Sequence, residues 1–122
     1  MSRVETYFLV PIHEDSSLGS GNLHAYYKWE NLHRDLFTMF RGWTLSPGLY
    51  EGEYPDPDTG KPIHDKSKRY IVALEEEEIP ELREYLKTEI AVNFRQKVIY
   101  FFNGREVEFV ENSEREESSS TK

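Results

Sequence analysis

A chain of 122 residues with 23 acids against 15 bases, a formal charge of −8, no cysteine and 14% aromatic residues is long enough for one domain around one core. The missing cysteines exclude disulfides, thiolate nucleophiles and cysteine metal sites, and they suit a reducing cytoplasm. The acidic balance disfavours a nucleic-acid partner, because phosphate binding draws on clustered Lys and Arg, and no apolar run approaches the ~20 residues of a membrane span.

The opening MSRVETYFLV runs into a strand without the pattern of a signal peptide. Val4 to Ile12 alternates in strand fashion, with Pro11 marking its end or a sheet edge. EDSSLGSGN, residues 14–22, reads as a polar loop in which Asn22 or Ser20 caps the next element. A helix is predicted from about Leu23 to about Arg41, with Ala25, Trp29, Leu32, Leu36, Met39 and Phe40 on one arc and Gly42 as its C-cap. Trp43 to Tyr50 reads as a second strand, bulged or at an edge because of Pro47 and Gly48. Residues 51–65, rich in Pro, Asp and Gly, read as the long tip of a hairpin, and Tyr70 to Leu74 as the third strand. The acids Glu75 to Glu78 and Pro80 begin a second helix with the stripe Ile79, Leu82, Leu86 and Ile90, closed by Phe94. Lys97 to Phe102 is the fourth strand, Asn103-Gly104 a two-residue hairpin turn, and Arg105 to Val110 a final strand.

The order β-α-β-β-α-β-β predicts an α+β, ferredoxin-like domain over residues 1–110, with both helices on one face of an antiparallel sheet and one extra C-terminal hairpin strand. Residues 111–122, acidic and Ser-rich, read as a disordered tail.

The informative surplus lies on the sheet. If Phe8, Val10 and Ile12 face the helices, Tyr7 and Leu9 face away, as does one parity of Val98 to Phe102. Both parities are apolar or aromatic, whereas a one-sided sheet is polar on its outer face. Something is therefore expected to cover that face. The simplest cover is a second copy, with Tyr7, Leu9, Tyr100 and Phe102 as interface residues. A ligand groove, or terminal strands folded over the face, are the alternatives.

The segment Gly52, Tyr54, Asp58-Thr59-Gly60, Asp65-Lys66-Ser67-Lys68, together with Phe94-Arg95-Gln96-Lys97-Val98, resembles a family of small uncharacterised bacterial domains of unknown function. The resemblance implies a ferredoxin-like sheet and no established activity.

Candidate chemistry is sparse. His33, on the edge of the first helix's apolar arc, is a candidate base with Tyr26 or Tyr50 as its proton-transfer partner, against the plainer reading of a half-buried structural histidine. His13 with Glu14 and Asp15, and His64 with Asp65, lack the spacing of a metal motif, so no metal and no cofactor is predicted. Asp65, Ser67, Lys68 and Arg69, beside His64, form a candidate ligand site for a small anion. Gly19-Ser20-Gly21 lacks the lysine and spacing of a phosphate loop. Lys68-Arg69-Tyr70-Ile71-Val72 is similar to the basic-aromatic start of an RNA-recognition module, but the glycines are missing.

The sequence leads to a non-enzymatic homodimeric interaction or regulatory domain. Its alternatives are a cofactor-independent enzyme of the dimeric α+β barrel type and a small-ligand sensor that binds in the sheet groove or at the Gly19 to Asn22 loop.

Overall fold

The structure, a computed structural model, describes residues 2–14 and 21–115. Its elements are β1 (Val4–Pro11), α1 (Tyr26–Phe40), β2 (Thr44–Leu45), β3 (Tyr50–Pro55), β4 (Pro62–Leu74), a 3-10 turn (Glu76–Glu78), α2 (Ile79–Tyr85), a π-turn (Leu86–Ile90), α3 (Ala91–Asn93), β5 (Val98–Phe102) and β6 (Val107–Glu111). The six strands form one sheet, all pairs antiparallel, in the order β2-β4-β1-β5-β6 with β3 also paired to β4. This is the ferredoxin-like order with one strand added at the β5 edge.

One face of the sheet carries the core. Thr6, Phe8, Val10, Tyr70, Val72, Leu74, Ile99 and Phe101 are buried, together with Trp29, Leu32, Leu36 and Phe40 of α1 and Leu82, Leu86, Ile90 and Phe94 of the second helical segment. Aromatic rings set its centre: Tyr70 lies 5.7 Å from Phe8 and 6.4 Å from Trp29, which sits 4.8 Å from Phe94. Burying large rings concentrates the hydrophobic gain of a small domain in few side chains. The second segment buries residues 82, 86, 90 and 94 at strict four-residue intervals. A regular helix would carry such a series round by about 40° per interval, and the wide π-turn takes up that drift so that one face stays on the sheet.

Several boundaries differ from the sequence reading, for local reasons. The α1 N-terminus carries no side-chain cap: Ala25 precedes it, because residues 22–24 are drawn into backbone hydrogen bonds with Ile12 and Glu14. Ser20 lies outside the described residues. At the other end Arg41, not Gly42, adopts the left-handed turn (φ 72°), its N–H bonded to the Phe37 carbonyl and its guanidinium to Glu78. The acidic run is a capping box, in which the Glu75 N–H donates to the Glu78 carboxylate at 3.0 Å. Asn103-Gly104 belongs to a four-residue loop, since Phe102 pairs with Val107 and the Asn103 carboxamide oxygen accepts from the N–H groups of Arg105 and Glu106. Asn112 is buried and bonded to Lys97 and Gln96, so the chain remains tied down past Glu111; residues 116–122 lie outside the description.

The largest departure concerns the central hairpin. Residues 51–65 are not a long tip: β3 pairs with β4 from Tyr50–Ser67 to Pro55–Pro62, and only residues 56–61 turn. β4 is 13 residues long, and only its second half, from Ser67 onward, pairs with β1. The first half and β3 therefore overhang the end of β1 as a two-stranded ribbon. An isolated two-stranded ribbon is marginal in water. Here its tip is fastened. Asp56 is buried, accepts from the N–H groups of Asp58 (2.7 Å) and Thr59 (3.2 Å), and meets Lys97 Nζ at 2.9 Å; Lys97 also reaches Asp58 at 3.1 Å, and Arg115 meets Asp58 at 3.0 Å. Lys97 stands at the start of β5 and Arg115 just past β6, so this clasp draws the ribbon across the sheet face away from the helices.

The Arg115 and Lys97 hydrogen bonds hold the Asp58 carboxyl down at about 2, and Lys97 with the Asp58 amide holds Asp56 below its ordinary value. Depressed carboxyls contribute stability that is complete above their ordinary value of 3.8 and is lost as pH falls towards 2. Thermal unfolding should therefore show the wild-type Tm dropping between about pH 4 and about pH 2, with a shallower fall in Asp58→Asn. Parallel curves for the two proteins would rule out an ionic clasp.

Candidate functional site

Folding the ribbon over the outer face makes a groove of about 380 Å³, within the range of small-molecule sites. Its floor is Leu9, Pro11, Val98, Tyr100 and Phe109 from β1, β5 and β6; its wall is the ribbon, presenting Tyr50, Gly52, Tyr54, Asp65 and Ser67. Strand alternation sorts the ribbon side chains. Glu51 and Glu53 also line the wall but send their carboxylates towards His64, whose Nε2 meets Glu51 at 2.9 Å and whose Nδ1 lies 3.9 Å from Glu53. A Cβ added at Gly52 would meet nothing within 4 Å, so a larger residue there would project into open space beside the groove.

The groove continues into an aromatic and cationic floor. Tyr7 lies 5.1 Å from Phe102 and 6.3 Å from Tyr100, and Phe109 stands edge-on to Tyr100 at 5.8 Å. Arg69, paired in register with Leu9, sets its guanidinium 4.2 Å from the Tyr7 ring and 5.5 Å from that of Tyr50, whose hydroxyl accepts from Arg69 Nη1 at 3.2 Å. Two phenols of the groove are displaced in opposite directions. A hydrogen bond with Ser46 and then one with Arg69 pull the Tyr50 hydroxyl below 10, while burial and the neighbouring Tyr7 push Tyr100 above it. Such divergence separates a group that holds its proton from one that yields it.

The candidates named from the sequence fall in three places. His33 lies between helix and sheet on the core side, stacked on Trp43 at 4.0 Å with Nε2 2.8 Å from the Tyr70 hydroxyl; burial lowers its pKa. Tyr26 is 76% exposed on α1, and Tyr50 is across the sheet, so His33, Tyr26 and Tyr50 do not form one site. The proposed anion cluster is divided as well. Asp65, Ser67 and Arg69 share the groove side, His64 turns to Glu51, and Lys68 points to the helices with Nζ 4.0 Å above the Trp29 ring, because adjacent strand residues take opposite faces. Tyr7, Leu9, Tyr100 and Phe102 all lie on the outer face as expected, each half-buried, with Leu9 and Tyr100 in the groove itself. Tyr54 and Phe109 were missed. Phe109 carried a signal, its alternation opposite Tyr100, whereas Tyr54 sat in a segment that reads as turns. Among the described residues no cluster of metal-ligating side chains occurs, and no helix is long and apolar enough to cross a membrane.

No family model and no curated protein sequence matches the chain. In fold it is similar to phage SAM lyase. The structure of that protein in complex with S-methyl-5'-thioadenosine superposes with a TM-score of 0.64 over 92% of each chain at 13% identity, and its apo form with 0.62 over 90% of each at 13%. The likeness extends to the whole α+β fold.

A spectrophotometric titration of the tyrosines, wild type minus Tyr50→Phe, should isolate one phenol ionising below pH 10. In an Arg69→Gln background that difference should move upward, because the cation favouring the phenolate is gone. A difference curve unmoved by Arg69→Gln would detach Tyr50 from Arg69.

Proposed function

We propose that the chain binds a nucleoside sulfonium of the S-adenosylmethionine type in the groove and cleaves it to a neutral thioether. The observation that carries this reading is the aromatic groove on the sheet face away from the helices, built from Tyr50, Tyr54, Tyr100 and Phe109. Flat faces of this kind stack a nucleobase and attract a cation through their ring quadrupoles. The fold shared with a SAM lyase solved with S-methyl-5'-thioadenosine supports the same ligand class.

The chemistry suits the residues in place. When the bond between sulfonium and alkyl chain breaks, the electron pair goes to sulfur, which becomes neutral and leaves without needing a proton. The carbon left behind is satisfied by loss of a neighbouring proton or by attack of a nucleophile within the ligand. Tyr50, whose hydroxyl is bonded to Arg69, and Tyr100 are the groove's candidates for handling that proton or for donating a hydrogen bond to the ligand.

A second reading rests on the edge of the same face. Phe109 (63% exposed) and Val107 (42%) leave β6 apolar beside the groove, a surface suited to a second copy. We propose this homodimer as compatible with the first reading, and sedimentation measures it.

Incubation with S-adenosylmethionine, followed by chromatography, should show S-methyl-5'-thioadenosine accumulating. Gly52→Leu, which adds a side chain beside an open wall, should slow its release at least about tenfold with little change in Tm. Intact S-adenosylmethionine, with no thermal stabilisation by it or by the thioether, would overturn the reading.

A further inference from the structure

We infer that Arg69 is the receptor for a carboxylate, the anionic end of an amino-acid-like ligand whose apolar part lies in the groove. The inference rests on the proposed function for the identity of the ligand, but on Arg69 itself for the site.

Arg69 has no ion-pair partner among the described residues, although the chain is strongly acidic and six of its seven other arginines, Arg34, Arg41, Arg83, Arg95, Arg105 and Arg115, each stand within 4.0 Å of a carboxylate. Its Nη1 is engaged by the Tyr50 hydroxyl, and its Nε is buried with no acceptor. That Nε–H, together with Nη2, forms the edge of the fork that presents two parallel donors at the spacing of a carboxylate's oxygens. A buried donor left unmade is costly, which is what a site awaiting an acceptor looks like. The rings of Tyr7 and Tyr50 hold the guanidinium plane, so the donors are oriented in advance of binding.

Position agrees with this assignment. Leu9, in register with Arg69, lines the groove, as do Ser67 on the same strand and Tyr50 above it. A ligand whose base stacks near Tyr100 and Phe109 therefore passes towards Arg69 at one end. Strand geometry sends Lys68 to the helix side, so Arg69 is the cation of that pair left on the outer face, while the Glu51 and Glu53 carboxylates, on residues that also line the groove, are drawn towards His64. The planar, bidentate fork favours a carboxylate over a spherical anion.

Calorimetry on the full chain with two ligands tests it, because S-methyl-5'-thioadenosine lacks the carboxylate that S-adenosylmethionine carries. Arg69→Gln should weaken S-adenosylmethionine about ten- to a hundredfold while the thioether changes less than about twofold; Arg69→Lys should recover only part of the loss, having no fork. Equal binding of S-adenosylmethionine by wild type and Arg69→Gln would overturn the carboxylate site and leave the proposed function standing. If wild type binds neither nucleoside, the proposed function falls, and benzoate decides the site alone. A saturable shift of the Arg69 Nε–H resonance on titrating benzoate into 15N-labelled wild type upholds it, and an unmoved resonance overturns it. The benzoate arm also decides the matter should Arg69→Gln fail to fold.

Discussion

The site depends on one ionic fastening, Lys97 held between Asp56 and Asp58. A ribbon of two strands that overhangs its sheet has no core of its own, and the aromatic face beneath it would otherwise be open to water. Placing a buried carboxylate in the tip and its lysine at the foot of β5 fixes where the overhang lands. The buried acid is tolerable because both its oxygens are used, one by the turn's own N–H groups and one by the ammonium. Arg115 completes the arrangement from beyond β6, so the turn, the fifth strand and the end of the chain are joined at one point.

Once the ribbon is placed, the two faces of the sheet divide their work. The helix-side face is closed by Trp29, Tyr70 and Phe94 and holds the structural histidines, among them His24, whose ring stands edge-on to Trp29 and Phe94 and bonds the Pro11 carbonyl. Burial lowers the pKa of His24 and of His33, so both are kept neutral as packing elements. The outer face holds Tyr7, Tyr50 and Tyr100, the groove, and the Arg69 guanidinium, which has no ion-pair partner among the described residues. It is the face where polar groups are displaced from their ordinary behaviour without being locked into the core, which is the usual condition of a working site.

The helices, β1, the second half of β4 and β5 were legible because their signals are local: alternation in Val4 to Pro11, the apolar arc through Trp29, Leu32, Leu36 and Phe40, the acidic run before Pro80. The double-sided apolarity of β1 and β5 also announced that the outer face would be occupied, and part of that cover proved to be the chain itself. The hairpin was misread because Pro, Gly and Asp dominate residues 51–65. In a ribbon with one strand at the sheet edge those residues are admissible, Pro55 and Pro62 facing each other at its end, and Gly52 lying beside the groove.

By itself, the sequence determined the two helical segments, the ferredoxin-like class and the surplus of rings on the sheet, since periodicity and turn chemistry act over a few neighbouring residues. Only the tertiary structure decided that His33 and Tyr50 stand on opposite sides of the sheet, that Lys68 and Arg69 part company, and that Arg69 lies by the groove with no carboxylate within 4.0 Å among the described residues. Those facts follow from where a strand's parity falls once its register is set between residues far apart in the chain, as for Leu9 and Arg69. No local pattern records which of two faces a loop or ribbon will later cover.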